Sequence, residues 1–420
     1  MSSQQEQKRL SPLNLSGWRK LPDILIAVGA VLSLIGLVKN PSEFGYAWLV
    51  AFMFYLTIAL GGLFLVMIHH LTDAGWSVGI RRFCEHLGAL LFPSLAILFV
   101  PVLLLAPKIY TWMTLNPHDN RALSAKLPLF TWPGFCVASA VLFGIWWLLS
   151  SRLRHWSLRQ DEIGGAQCTH RMRFHSGWGI LAFALTITLA AVLWMKSLQY
   201  QWSSTIYGMY FFGSCAFIGV ATAFFIAMIL QRQGALTGVL RDNPFYYLGT
   251  LLFAFTLLYS YFGFAQYFVV WNGNIPNETF WYLTRENRSW WALDMLIIFG
   301  HFLLLFLVLL PICVKSNFRI MFWVCIWAWA MNYADLTFNI LPVAHPHGYP
   351  FRWLWLQFGC LAFMGGLLAR IFLKNFNAHA PYPQKDPRLL EAMGVKYELP
   401  DDIAATAALK SFGAPAGGEE

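Results

Sequence analysis

Asp294, His301 and Asp335 stand inside runs of sequence that are otherwise almost wholly apolar. An ionisable side chain at the centre of a bilayer costs about 2.5–3.5 kcal/mol on insertion scales, so one that is kept there is paired, hydrated or used. Asp294 and His301 are seven residues apart, two turns of a regular helix, which predicts a shared face. Helical rise places His301 roughly 15 Å below the end of its run and Asp335 roughly 9–10 Å from the end of the next. Consecutive antiparallel helices are normally neighbours. The sequence therefore predicts a descending polar line of Asp294, Asp335 and His301, supported by Gln266, Asn332, Tyr259 and Tyr261. Carboxyl and imidazole groups exchange protons near neutral pH, so such a line can carry protons. A satisfied buried hydrogen-bond cluster is the other reading.

A second group lies at the opposite ends of the apolar runs. His69, His70 and Asp73 close one run, and Glu85 and His86 open the next, with Arg81 and Arg82 between them. A hairpin gathers them into one polar cluster. It reads either as a way in for protons or as an interfacial charge cluster that ties a short turn. Lys126 and Lys196 flank runs and are expected to snorkel to the interface. Glu278 reads as a loop-ordering residue.

Other chemistries find little support. A b-type haem needs two axial ligands on facing helices, and of the eleven histidines only His301 lies deep in a run. The seven cysteines (Cys84, Cys136, Cys168, Cys215, Cys313, Cys325 and Cys360) form no CxxC pair, which argues against an iron–sulfur or zinc site and against a disulfide framework. There is no phosphate-cradling glycine loop and no nucleophile triad. The expectation is a chain with no catalytic residue, metal ligand or redox cofactor of its own.

The elements that must position these groups are membrane helices. Of 420 residues, 58% are hydrophobic and only 12% charged, about half the charge of a soluble domain, and the mean hydropathy is +0.54. Apolar runs of spanning length occur at 22–38, 45–69, 84–106, 129–151, 175–195, 206–230, 245–270, 291–314, 320–341 and 350–373. The fold class expected is all-α integral membrane, with about ten transmembrane helices. The net charge of +9 comes from short clusters between runs and not from one basic face, so nucleic acid is not the expected partner. Of 29 Lys and Arg residues, twenty-one fall on the side of the N-terminus and eight on the other, which predicts that both termini are cytoplasmic. No small-residue cleavage site follows the first run, so it is expected to stay as a helix.

An internal repeat organises the runs. Ser77-Val-Gly-Ile-Arg-Arg82 parallels Leu236-Thr-Gly-Val-Leu-Arg241, and Leu87-Gly-Ala-Leu-Leu-Phe92 parallels Leu248-Gly-Thr-Leu-Leu-Phe253. Both copies run in the same direction, unlike an inverted transporter repeat. The domains expected are an N-terminal tail (1–21), a first peripheral helix (22–44), two four-helix bundles (45–195 and 196–341), a tenth helix with its preceding periplasmic loop (342–373), and a C-terminal tail (374–420). That tail, with Pro381-Tyr-Pro-Gln-Lys-Asp-Pro-Arg388 near its start, reads as a docking or solvated segment.

Three segments carry a family resemblance: His69–Arg82, Phe264–Thr279 with its Gly-Asn-Ile-Pro-x-Glu-Thr element, and Pro383-Gln-Lys-Asp-Pro-Arg388. They resemble the ActF-type, NrfD-like membrane subunits of alternative complex III, a bacterial quinol:electron-acceptor oxidoreductase of the inner membrane. The resemblance implies ten spans in two four-helix bundles. It also implies a second NrfD-like subunit, an iron–sulfur subunit and c-haem subunits as partners, with a terminal oxidase as a further candidate. Menaquinol or ubiquinol is the implied substrate of the complex, oxidised mainly at the other NrfD-like subunit, while this one supplies support and a proton path. Two alternatives remain open at this point: a quinol-binding anchor of the polysulfide-reductase type, using His301, Asp335 and Gln266, and a secondary transporter with helices broken at Pro93, Pro101 and Pro311.

Overall fold

The computed structural model describes residues 20–116, 121–234, 236, 239, 242–389 and 393. Among these the chain is helical, with no strand. In order come α1 (Lys20–Lys39), α2 (Pro41–Leu71), α3 (Val78–Gly88), α4 (Ser94–Ile109), α5 (Trp132–Ile163), α6 (Ala166–Ala190), α7 (Tyr207–Arg232), α8 (Asp242–Gly273), α9 (Pro276–Leu283), α10 (Arg288–Leu296), α11 (Leu305–Leu309), α12 (Ile312–Lys315), α13 (Phe318–Ile340) and α14 (Leu354–Asn377). Two π-helical stretches, Ala191–Met195 and Ile297–Leu304, continue α6 and link α10 to α11. Polar caps fix several starts. Asn40 accepts from the amides of Ser42 and Glu43 ahead of α2, and Asn317 does the same for Arg319 and Ile320 at α13.

Nine helical stretches among the described residues are long and apolar enough to cross a membrane. The chain is a multi-pass membrane protein. The expected ninth run, 320–341, forms α13, a 23-residue helix that is long enough to span but is not among the nine. Arg319, Asn332, Asp335 and Asn339 make it too polar. Other boundaries also move. The third, fourth and fifth stretches occupy Gly75–Ile109, Trp132–Ile163 and Ala166–Gln199, because charged end turns stay helical beyond the hydrocarbon where an apolar ruler stops. As a result Glu85 and His86 lie within α3 and do not open a helix.

Two helices form the centre. Of their most apolar windows, 89% is buried in α2 and 83% in α7, against 22–50% elsewhere. They cross where neither has a side chain: a Cβ on Gly61 would lie 2.2 Å from the Cys215 carbonyl oxygen and 2.6 Å from the Gly219 Cα. Helices associate in lipid chiefly through such close backbone packing. Gly219→Val should therefore cost about 3 kcal/mol or more in overpacking, read as a lower thermal midpoint in detergent. Gly144→Val serves as the control, since nothing lies within 4 Å of a Cβ there.

α6 and α13 each pack against both α2 and α7. α1 and α14 pair with each other along a seam where a Cβ on Gly29 would lie 2.3 Å from the Phe363 nitrogen, and an Asp23–Arg370 ion pair closes the seam. Below, "the N-terminal side" is the side on which α1 begins. Of the second repeat segment Leu236–Arg241, only Leu236 and Val239 are described, both buried; the rest, with the tail residues 1–19, 390–392 and 394–420, lies outside the described residues.

Candidate functional site

The polar site of the second half is built around Asp335 on α13, which is 1% exposed. Tyr210 of α7 donates its hydroxyl to Asp335 Oδ1, and the Tyr210 and Tyr259 hydroxyls are 2.9 Å apart. Tyr259 hydrogen-bonds both to Tyr210 and to the Asp335 carboxyl group, so the two tyrosines and the acid form one hydrogen-bonded cluster. Asn339, one turn on, donates to Asp335 Oδ1 at 3.3 Å and to the Asp335 carbonyl at 2.9 Å, and accepts from Tyr207 at 3.2 Å. Every donor to this carboxyl group is neutral. Among the described residues it forms no ion pair.

His301 is fully buried, and its ring stacks on Tyr259 with centroids 4.1 Å apart and 20° between planes. Phe217 covers it at 4.6 Å. Neither ring nitrogen has a hydrogen-bond partner among the described residues, and a buried unpaired polar group is costly enough to require a reason. The expected line from Asp335 to His301 thus exists as a hydrogen-bonded chain that ends in a stack.

The structure corrects other members of that line. Asp294 is half-buried and hydrogen-bonds to neither His301 nor Asp335. The π-helical stretch Ile297–Leu304 widens the turn to i→i+5 bonding, so the seven-residue spacing no longer returns to the same face. Tyr261 is 64% exposed and points away from the cluster. Two residues apart on a helix means about 200° apart, so Tyr259 and Tyr261 cannot serve one site. Gln266 sits in an outer layer, accepting from Ser204 at 3.2 Å and facing the Tyr282 hydroxyl at 3.4 Å. Asn332 joins three helices: Ser214 of α7 donates to it at 2.6 Å, and it donates to Thr57 of α2 at 3.2 Å. Replacing Tyr259 by Phe should slow any proton transfer through Asp335 by roughly 10-fold or more, whereas Tyr261→Phe should leave it unchanged. Proton-release kinetics of the two variants measure this.

Two participants carry no mark in the sequence. Tyr210 is one tyrosine in an aromatic-rich helix. Arg285, in the segment before α10, is 2% exposed. It donates to the carbonyls of Phe338 (3.0 Å), Asn339 (3.0 Å) and Trp281 (2.8 Å) and to Gln199 Oε1 (3.2 Å), and its guanidinium lies 3.6 Å from the Trp281 ring centroid. It therefore caps the C-terminal end of α13, where a cation complements the helix dipole. Burial lowers its pKa to about 9, still well above neutrality, so it remains a cation.

On the N-terminal side the expected cluster forms, more heavily ion-paired than the sequence suggested. Arg81 and Arg82 are buried; Arg81 Nε is 3.1 Å from Glu85 Oε1 and Arg82 NH1 is 3.4 Å from Glu85 Oε2. Arg82 also pairs with Asp161, and Arg81 with Asp386. Asp73 takes Arg173 at 2.7 Å and Arg388 at 2.9 Å. His69 Nδ1 is 2.6 Å from Ser77 Oγ. His70 and His86 are fully buried with no hydrogen-bond partner among the described residues, His86 lying beside Phe372, Phe376 and His379. A carboxyl group clamped between two guanidiniums is a structural lock, and Glu85 ties Arg81 and Arg82 in this way. Lys126 donates to the Tyr200 carbonyl and lies over Phe130, which ties two loop segments together. Lys196 is half-buried, and Glu278 occupies the first turn of α9.

No protein-family model and no curated protein matches this chain. The functional reading rests on its own side chains. All seven cysteines are free thiols. Among the described residues no group of three or more His, Cys, Asp or Glu is placed to hold a metal ion.

Proposed function

We propose that this chain is an integral membrane subunit of a quinol-oxidising respiratory complex of the alternative complex III type, and that its second half supplies a proton-carrying site at Asp335. The observation that carries the proposal is the carboxyl group of Asp335, buried between helices of a multi-pass membrane protein and hydrogen-bonded only by neutral donors. Such a group can take up or release one proton without breaking an ion pair. Tyr210, Tyr259 and His301 extend the site toward mid-membrane. Arg285 and Asn339 connect it to the segment before α10 on the far side.

The reading takes the chain as two four-helix bundles in parallel repeat. Gly61 and Gly219, which touch, stand 158 positions apart (219 − 61), and so do Phe52 and Tyr210 (210 − 52). Where the second half has Tyr210 and Asp335, the first is filled by rings: Phe52 and Phe99 lie 5.1 Å apart, Phe99 and Trp194 4.6 Å, and Phe143 and Trp194 5.5 Å. At these positions the first half is packed with rings, where the second keeps titratable groups.

The segments His69–Arg82, Phe264–Thr279 and Pro383–Arg388 support the family reading, with iron–sulfur, c-haem and second NrfD-like subunits as partners and the N-terminal side as cytoplasmic. The test is purification in mild detergent. Recovery with c-haem and iron–sulfur subunits is the expected result; a stable homo-oligomer without them would contradict it. The quinol-anchor reading predicts that a quinol photoaffinity probe labels residues around Gln266 and His301, and labelling confined to a partner subunit removes it.

A further inference from the structure

The C-terminal segment just after α14 was expected to be solvated or to dock on something. It docks on its own chain. Asp386, with a side chain 0% exposed, pairs with Arg81, and Arg388 reaches back to it at 3.0 Å. The Gln384 amide donates to Asp161 Oδ1 at 2.9 Å, Lys385 to the Glu162 carbonyl at 2.6 Å, and Arg388 to Asp73 at 2.9 Å. Burial pushes the Asp386 carboxyl up, but Arg81 and then Arg388 outweigh it and hold it below its ordinary value, so it is ionised at neutral pH.

Without the segment, Glu85 keeps Arg81 and Arg82, Asp161 keeps Arg82, and Asp73 keeps Arg173. The segment carries its own pair, Asp386 with Arg388, and an exposed Lys385. Breaking a buried pair is costly because it strands an uncompensated charge. Lifting this segment strands none, since each surface keeps its own partners. Beneath it lie Arg81, His70, Ser157, which accepts from Arg81 at 3.3 Å, and Glu85, which lines a void of about 10 Å³ with Ser150, Leu63 and Val66. That is the size of one water.

We propose that Pro383–Arg388 is a self-paired latch over the buried polar cluster of Arg81, Glu85 and His70 on the N-terminal side, and that its release opens that cluster to water. This goes beyond the proton site at Asp335 and does not depend on it.

The test places a thiol under the latch. Ser157→Cys is close to isosteric at a fully buried position. Full-length chain in native membranes is exposed to an anionic methanethiosulfonate, and modification of that cysteine is timed by peptide mass spectrometry. Slow modification is expected with Asp386 intact and with Asp386→Glu. Addition of Asp386→Ala should accelerate it at least 10-fold. Lys385→Ala, a change at an exposed side chain that does not threaten folding, should accelerate it several-fold and gives the answer if the Asp386→Ala chain fails to accumulate. Fast modification with the segment intact would overturn the proposal, as would equal rates in all variants. Neither readout requires quinol turnover, so a failure here leaves the respiratory reading untouched.

Discussion

Asp335→Asn is expected to slow proton-coupled quinol turnover of the assembled complex by roughly 100-fold, the lower end of what a positioned acid–base group contributes. The substitution is isosteric. An amide oxygen still accepts from Tyr210 and the Asn339 contact survives, so helix packing around α13 should be kept. What is lost is the exchangeable proton. Protons released per quinol oxidised, measured in a weakly buffered suspension, separates this from a folding defect. A variant that assembles with its normal ratio removes Asp335 from the path, and the buried carboxyl group is then a packing element.

Arg285→Met should be the most destabilising substitution in the chain that touches no candidate proton carrier. Four acceptors depend on Arg285: three backbone carbonyls and the Gln199 side chain. A hydrogen bond from a charged donor contributes about 1.5–3 kcal/mol, and a buried acceptor left bare costs about 1–3 kcal/mol. Losing several together should cost about 4 kcal/mol or more, at the extreme end of single substitutions. Arg285→Lys should recover only part of this, because one ammonium cannot reach acceptors spread around a planar fork. Thermal unfolding of the two variants in the same detergent gives the comparison. Equal midpoints for Lys and Arg would mean that charge alone matters at this position.

The sequence told the helical architecture well, because lipid imposes one strong rule: long apolar runs become helices. It also singled out Asp335 and His301, since hydrocarbon makes buried acids and imidazoles conspicuous. Its misses have distinct causes. Tyr210 reaches Asp335 from a helix 125 positions earlier (335 − 210), and nothing local distinguishes it from neighbouring aromatic residues. Asp294 stays near Asp335 without bonding to it or to His301, and the π-helical stretch that follows it is something a 3.6-residue period cannot anticipate. Tyr261 could have been rejected from helical geometry alone. Arg285 looks like one more loop cation until its carbonyl partners are known. The latch was half legible: Asp386 and Arg388 are opposite in sign to Arg81 and Asp73, but only the fold brings them together. Glu43 and His345, 3.0 Å apart across the far side, were likewise hidden by 302 residues of separation.

The central claim is that the Asp335 carboxyl group changes protonation during turnover. Infrared difference spectroscopy of the purified complex, before and after quinol addition, tests it most directly. The account predicts a carboxylic-acid carbonyl band that appears or disappears with turnover and is missing from the Asp335→Asn spectrum. Identical difference spectra from the unmodified and Asp335→Asn complexes would contradict it.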